Sequence, residues 1–299
     1  MKPDLTINLK EVKLKNPIIL ASGVVGFGKE IVKFFDINKL GAVVTKTITL
    51  KPRIGNLQPR IYDLGFGVLN SIGLENPGLE GFKEKYADFL SSLNTCVFVS
   101  LYGESFDEYK VLIRELENFN FKGYEINLSC PNIKKTLKFS QKKFFNFLSK
   151  LRELTKKLLV VKLGFHPELV TICKICENAG IDALTLINTL PAMAVDIEER
   201  KPVLGNITGG LSGRCLKPIA LKCVWEVSRK IGIPVIGCGG IFDFKDVIEF
   251  LLCGACCIQI GTANLIDPKI SLKILKDLQK YLKQKGINSI KEIIGRLSA

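Results

Sequence analysis

Histidine is nearly missing from this chain, with one residue in 299. That argues against a metal centre built on imidazole ligands and leaves cysteine as the soft donor. Ten cysteines are present. Cys173 with Cys176, and Cys253 with Cys256 (followed by Cys257), have the two-residue gap of zinc or redox pairs. Both pairs lie inside apolar periodic segments, where cysteine acts as a small hydrophobe, so no metal is expected. A ferredoxin-type series, with a four-residue and then a two-residue gap, is also missing, as is a GxGxxG dinucleotide fingerprint.

Long apolar runs are lacking too. Nothing approaches the roughly 20 residues that span a bilayer, and residues 1–10 lack the apolar core of a secretion signal. The expectation is a cytoplasmic protein with reduced thiols and no membrane association. Acidic residues fall short of basic ones, 29 against 43, for a net charge of +14. Such a surface attracts phosphate backbones. Only 8 of the basic residues are arginine, however, and no aromatic-interleaved basic stripe is present. A solvated lysine surface explains the charge, and no nucleic-acid partner is expected.

What remains is a globular chain, 47% hydrophobic and 24% charged, long enough for one large domain or two ordinary ones. After an opening hairpin over 5–14, strand-length apolar runs alternate with amphipathic stretches. The strands are expected at 18–21, 42–45, 96–101, 123–128, 159–163, 183–188, 234–237 and 256–260. Helices are expected at 29–35, 79–93, 106–118, 141–157, 168–179, 216–231 and 244–252, with two more at 269–285 and 289–297. Eight apolar strands separated by helices predict an α/β fold, a (β/α)8 TIM barrel. Two long insertions, 47–78 and 190–214, follow strand C-terminal ends, the face that carries the site in such barrels, and read as lids or walls.

The chemistry-bearing residues gather at those strand ends. The stretch Tyr124 to Asn132 runs a buried strand into a turn at Pro131, where Asn127 and Asn132 flank the thiol of Cys130. A cysteine among groups that donate and accept suits proton removal from a polar, planar substrate. The same turn is also compatible with a buried structural cysteine. Gly237-Cys238-Gly239-Gly240 and Gly261-Thr262 end the seventh and eighth strands, where glycine lets backbone N–H groups approach a phosphate; tight turns are the alternative. Lys162 lies inside an apolar strand and requires an anionic or dipolar partner unless it snorkels to the rim. Lys46 follows the second strand. Asn70, Asn76, Asn127, Asn132 and Asn188-Thr189 place several amides on one face, a pocket for a flat ring with amide and carboxylate groups, although each alone suits a turn.

Five motifs in order, Asn16-Pro-Ile-Ile-Leu-Ala-Ser-Gly23, Asn70 to Gly78, Asn127 to Asn132, Asn188-Thr189 and Gly237 to Gly240, resemble class 1 dihydroorotate dehydrogenases over nearly the whole chain. Arg200 to Leu204 and Thr208 to Gly213 resemble the NAD-linked B type. The resemblance implies a single FMN-binding barrel domain over 1–299, the catalytic subunit, oxidising (S)-dihydroorotate to orotate in pyrimidine synthesis. It implies Cys130 as the base that takes the C5 proton while C6 gives hydride to flavin N5. It further implies Lys46, Asn70, Ile72, Gly73, Leu74, Asn127, Asn188 and Thr189 around substrate. Ser22, Lys46, Thr47, Ser100, Asn127, Lys162, Ile187, Gly213, Gly239, Gly240, Gly261 and Thr262 would surround FMN, with Lys162 near the pyrimidine edge of the flavin. Electrons would leave through a partner subunit carrying FAD and a 2Fe-2S cluster, in a heterotetramer of two catalytic and two electron-transfer subunits. Two features depart from the family pattern: Ser100 replaces a usual asparagine, and the loop 133–140 has no glycine. The competing readings are a tRNA-uridine-reducing flavin enzyme and a flavin-free aldolase using Lys162 as a Schiff base.

Overall fold

The computed structural model describes residues 2–24, 26–128 and 140–298. Eight strands form a closed barrel in sequence order: β1 (Ile18–Leu20), β2 (Ala42–Val44), β3 (Cys96–Leu101), β4 (Gly123–Leu128), β5 (Leu158–Leu163), β6 (Ala183–Leu186), β7 (Val235–Cys238) and β8 (Cys257–Ile260). Neighbours pair in parallel, and β8 closes on β1 through Ile258 opposite Ile18. The expected strands are all present, with ends shifted by a residue or two. Their composition follows from burial on both faces: Ile18, Ile19 and Leu20 are all sealed from solvent, as are Ala42, Val43 and Val44.

The outer helices bury one stripe each. In Phe106–Leu116 the buried residues are Tyr109, Leu112, Ile113 and Leu116, spaced for one helical face, and Ser105 caps the start by accepting from the Glu108 N–H. In Phe244–Leu252 a reciprocal capping box of Asp243 and Asp246 fixes the first turn. The opening hairpin pairs Ile7–Leu9 with Val12–Leu14 and buries Leu9 and Leu14 completely. Its turn residue Lys10 forms an ion pair with Asp182, which precedes β6 and also holds Arg152 and the Leu159 N–H. This clamp fastens the hairpin to the N-terminal end of the barrel.

Three expected helices differ. The stretch 29–35 forms only a 3-10 turn, Ile31–Lys33, because Gly26 and Gly28 hold positive φ before it and Asp36 caps a second turn directly after it. The stretch 289–297 yields only Ile290–Glu292, since Ser289 pairs with Asp4 and Gly295 takes a φ of 70°. The stretch 79–93 is helical but carries a π segment, Lys83–Ala87, between Gly78–Phe82 and Asp88–Ser91. The two insertions hold a larger surprise. They form one antiparallel sheet in the order Leu190–Ala192, Gly209–Ser212, Val68–Asn70, Ile61–Asp63. Leu211 pairs with both Leu190 and Leu69, so segments far apart in sequence build a common wall over the C-terminal strand ends.

Candidate active site

The strand ends and that wall enclose a cavity of about 640 Å³, with an adjoining space of about 240 Å³ toward β2. The first is lined by Ser22, Asn70, Ile72, Gly73, Leu74, Asn127, Lys162, Ile187, Asn188, Thr189, Gly213, Gly239, Gly240, Gly261 and Thr262. Lys46 and Thr47 line the second, which shares Ser22, Asn127, Lys162 and Asn188 with the first. The structure therefore brings together all the expected site residues it describes except one. Ser100 is fully buried and reaches the cavity only through Thr47, whose hydroxyl lies 2.8 Å from its own. Cys130, Asn132 and most of the loop 133–140 lie outside the described residues.

The polar floor is a connected set. Thr47 sits between the Ser100 and Ser22 hydroxyls, the latter 3.3 Å away, and accepts from Asn127 Nδ2 at 3.2 Å. Asn127 Oδ1 in turn accepts from Asn188 Nδ2. Asn70, at the end of the Val68–Asn70 strand, donates to the Gly210 carbonyl at 3.2 Å and so locks the two insertions together. Gly210 is required there for space: a Cβ would meet the Thr189 hydroxyl at 2.1 Å. Lys46 pairs loosely with Glu75 at 3.5 Å, an acidic wall residue that also meets Arg60.

Beneath this floor lies a polar layer inside the barrel that the sequence reading missed. Lys162 on β5 donates to Gln259 Oε1 on β8 at 3.1 Å. Gln259 Nε2 donates to Glu125 Oε2 on β4, and the Thr185 hydroxyl of β6 donates to the same oxygen at 3.0 Å. All four residues are buried. Burial pushes the Lys162 ammonium down; the Cys238 sulfur, where it is ionised, and the Glu125 carboxylate oppose this, and the net direction is above ordinary lysine. Burial likewise pushes the Cys238 thiol up, with Lys162 opposing. A lysine held charged is unsuited to Schiff-base attack, which needs a free amine. The missed partners had a signal: Glu125 and Gln259 are polar residues inside apolar strands, the same anomaly that marked Lys162.

A phosphorylated flavin fits the chemistry of this donor set. Gly239 and Gly240 follow β7 at φ of 121° and 76°, and a Cβ on Gly240 would meet the Lys217 backbone nitrogen at 2.5 Å. Gly213 (φ 106°) leads through the turn Arg214–Leu216 into the helix Lys217–Ser228. Bare backbone from two loops thus converges beside the start of a twelve-residue helix, the setting in which phosphates are held. The buried cation and the amides line the same cavity.

A model of the dihydroorotate dehydrogenase family matches residues 4–282. Among curated proteins, the catalytic subunit of dihydroorotate dehydrogenase B (NAD(+)) from Geotalea uraniireducens is 42% identical over 301 residues, covering 99% of each chain. The subunits of the same name from Caldicellulosiruptor bescii and Petrotoga mobilis are 44% and 42% identical, again over nearly the full length of both chains. Among solved structures, a dihydroorotate dehydrogenase of Eimeria tenella in complex with ferulenol superimposes with a TM-score of 0.83, covering 98% of this chain and 88% of that one. At 23% identity it supports the barrel fold. Matched by the family model over most of its length and by these relatives over nearly all of it, the chain belongs to the dihydroorotate dehydrogenase family.

Proposed function

We propose that this chain is the catalytic subunit of an NAD-linked, B-type dihydroorotate dehydrogenase, a single FMN-binding domain that oxidises (S)-dihydroorotate to orotate in pyrimidine biosynthesis. The observation that carries this reading is the arrangement of Asn70, Asn127 and Asn188 around one cavity whose floor holds the buried Lys162 cation. A planar ring bearing amides and a carboxylate matches those groups. The amides orient the ring by donating and accepting at its edges, and the Thr189 N–H, acting through Asn188, fixes which way Asn127 points. Lys46, only loosely engaged by Glu75, exchanges that partner for the substrate carboxylate. Cys130 takes the C5 proton. FMN, when bound, supplies the acceptor for the two electrons that leave C6. Gly213, Gly239, Gly240, Gly261 and Thr262, which line the cavity, would hold its phosphate end, and Lys162 would supply a cation that favours the reduced ring.

A partner subunit carrying FAD and a 2Fe-2S cluster would supply the chemistry that links the reaction to NAD, in an assembly of two copies of each subunit. The names of the curated relatives, catalytic subunits of an NAD(+) enzyme, support the link to NAD and the existence of a partner. Among the described residues no helix is long and apolar enough to cross a membrane.

The test is the visible spectrum of the purified chain before and after anaerobic addition of dihydroorotate. Flavin bands that bleach with dihydroorotate, and only slowly or not at all with NADH, are expected. Bands that ignore dihydroorotate would move the substrate elsewhere, to uridines in tRNA first. A colourless chain that cannot be reconstituted with FMN would overturn the reading.

A further inference from the structure

The cavity floor uses Lys162, but the proposed reaction gives no task to the residues behind it. Their hydrogen bonds have only one consistent direction. A lysine ammonium can only donate, so Gln259 must turn its Oε1 toward Lys162 and its Nε2 toward Glu125. Glu125 Oε2 then accepts from both Gln259 and the Thr185 hydroxyl, which is the role of an ionised carboxylate. Its other oxygen, Oε1, is buried with no hydrogen-bond partner among the described residues. A buried, half-satisfied anion is a poor way to stabilise a barrel, where apolar residues of similar volume serve as well or better. The charge therefore points to a task in the site.

We propose that Glu125 is a positioning residue: acting through Gln259, it holds the Lys162 ammonium at the cavity wall and keeps it charged for the bound flavin. The groups facing Lys162 are few. From β7 comes Cys238, from β8 the uncharged Gln259, and from β4 the Glu125 carboxylate. Burial keeps the Cys238 thiol protonated at neutral pH, so it contributes no anion there. Among the described residues, Glu125 is thus the anion on which the Lys162 charge depends at neutral pH. The carboxylate is set back from the cavity, which Lys162 lines and Glu125 does not, so the pair presents its positive end to the ligand.

The consequence for flavin rests on the proposed function, while the coupling between Glu125 and Lys162 does not. Both are read separately. In a chain labelled with 13Cε-lysine, the Lys162 signal, assigned by its loss in Lys162→Met, is followed by NMR from neutral to strongly alkaline pH without flavin. Glu125→Gln is expected to lower the proton affinity of Lys162 by at least about tenfold, one pH unit. If Glu125→Gln does not fold, Gln259→Leu retains the carboxylate, cuts the bridge and is expected to shift Lys162 in the same direction. A Lys162 titration unchanged from wild type in the folded variant overturns the proposal.

The second arm measures the midpoint potential of bound FMN above the pH at which Lys162 titrates in the variant. Glu125→Gln is expected to lower the potential toward that of Lys162→Met, and to have no further effect in a Lys162→Met background. An equal shift in both backgrounds would mean that Glu125 acts on the flavin directly, and would overturn the route through Lys162. A chain that fails to bind FMN, with the NMR coupling intact, would overturn the proposed function and leave the coupling standing.

Discussion

Asn188 donates its Nδ2 to Asn127 Oδ1 at 3.4 Å, joining the ends of β6 and β4 across 61 positions of sequence. The Thr189 N–H donates to Asn188 Oδ1 at 2.9 Å, which turns Asn188 Nδ2 toward Asn127 and so fixes the sense of both amides. The orientation of the cavity floor is therefore set before any ligand arrives.

Removing Asn127 takes away both a direct contact and the acceptor of the Asn188 Nδ2 hydrogen bond. For Asn127→Ala, kcat/KM for dihydroorotate is expected to fall by about 10- to 100-fold, since a lost hydrogen bond of about 1.4 kcal/mol costs a factor of ten. Steady-state turnover of the FMN-loaded variant measures it. A value within twofold of wild type would remove Asn127 from substrate binding.

Gly240→Ala meets two obstacles at once, a φ of 76° and a Cβ 2.5 Å from the Lys217 nitrogen. Backbone strain of about 1–3 kcal/mol follows, and it falls on the proposed phosphate loop. FMN binding, followed by quenching of flavin fluorescence, should weaken at least tenfold.

Cys130→Ser replaces the proposed base by a far weaker one. The flavin should remain bound, with turnover strongly reduced at neutral pH. Undiminished turnover would take Cys130 out of the mechanism.

Burial pushes the Cys173 thiol up to about 12 and the Cys223 thiol up to about 11, from an ordinary 9.0. The folded protein holds these protons more tightly than the unfolded chain. Their contribution to stability is therefore complete below pH 9 and is lost as pH rises toward 11 and 12. Thermal melts should show a Tm that declines above that threshold, and a double Cys173→Ala, Cys223→Ala variant should decline less steeply. Identical slopes would mean that other groups govern the alkaline limb.

The barrel was legible because its signal is redundant. Eight apolar runs such as Val160-Val161 and Ile18-Ile19-Leu20 are each too hydrophobic for a half-exposed strand, and helix-length stretches separate nearly all of them. The site residues stand out as motifs, and those the structure describes line the cavity and its adjoining space, Ser100 excepted, while Cys130 lies outside the described residues. The insertion sheet was not legible. Its strands are three or four residues long, two of them carry glycine or proline, and their pairing partners lie up to 144 positions apart (Ser212 with Val68), so no local periodicity marks them. The Glu125–Gln259–Lys162 layer was half legible: the lysine looked out of place, but the chain gives no hint which of several distant polar residues would meet it. Short 3-10 turns stood where helices were expected because Gly26, Gly28 and Gly295 adopt positive φ, which the apolar pattern does not report.

The Asp182 clamp lies at the opposite end of the barrel from the cavity. Asp182→Ala removes the carboxylate shared by Lys10, Arg152 and the Leu159 N–H, leaving Arg152 only the Thr155 and Lys157 carbonyls. It should cost about 3 kcal/mol in stability, visible in denaturant titration, with turnover per folded molecule retained. A loss of specific activity without loss of stability would show that the two ends communicate.

The shared sheet also has a bearing on biosynthesis. Val68–Asn70 leaves the ribosome early, yet its hydrogen-bonding partner Gly209–Ser212 follows only after six of the eight barrel strands. During translation the early insertion has an unpaired edge and no opposite wall. The compartment proposed for the flavin is thus one of the last parts of the molecule to be completed, and on that proposal its loading must await the final third of the nascent polypeptide.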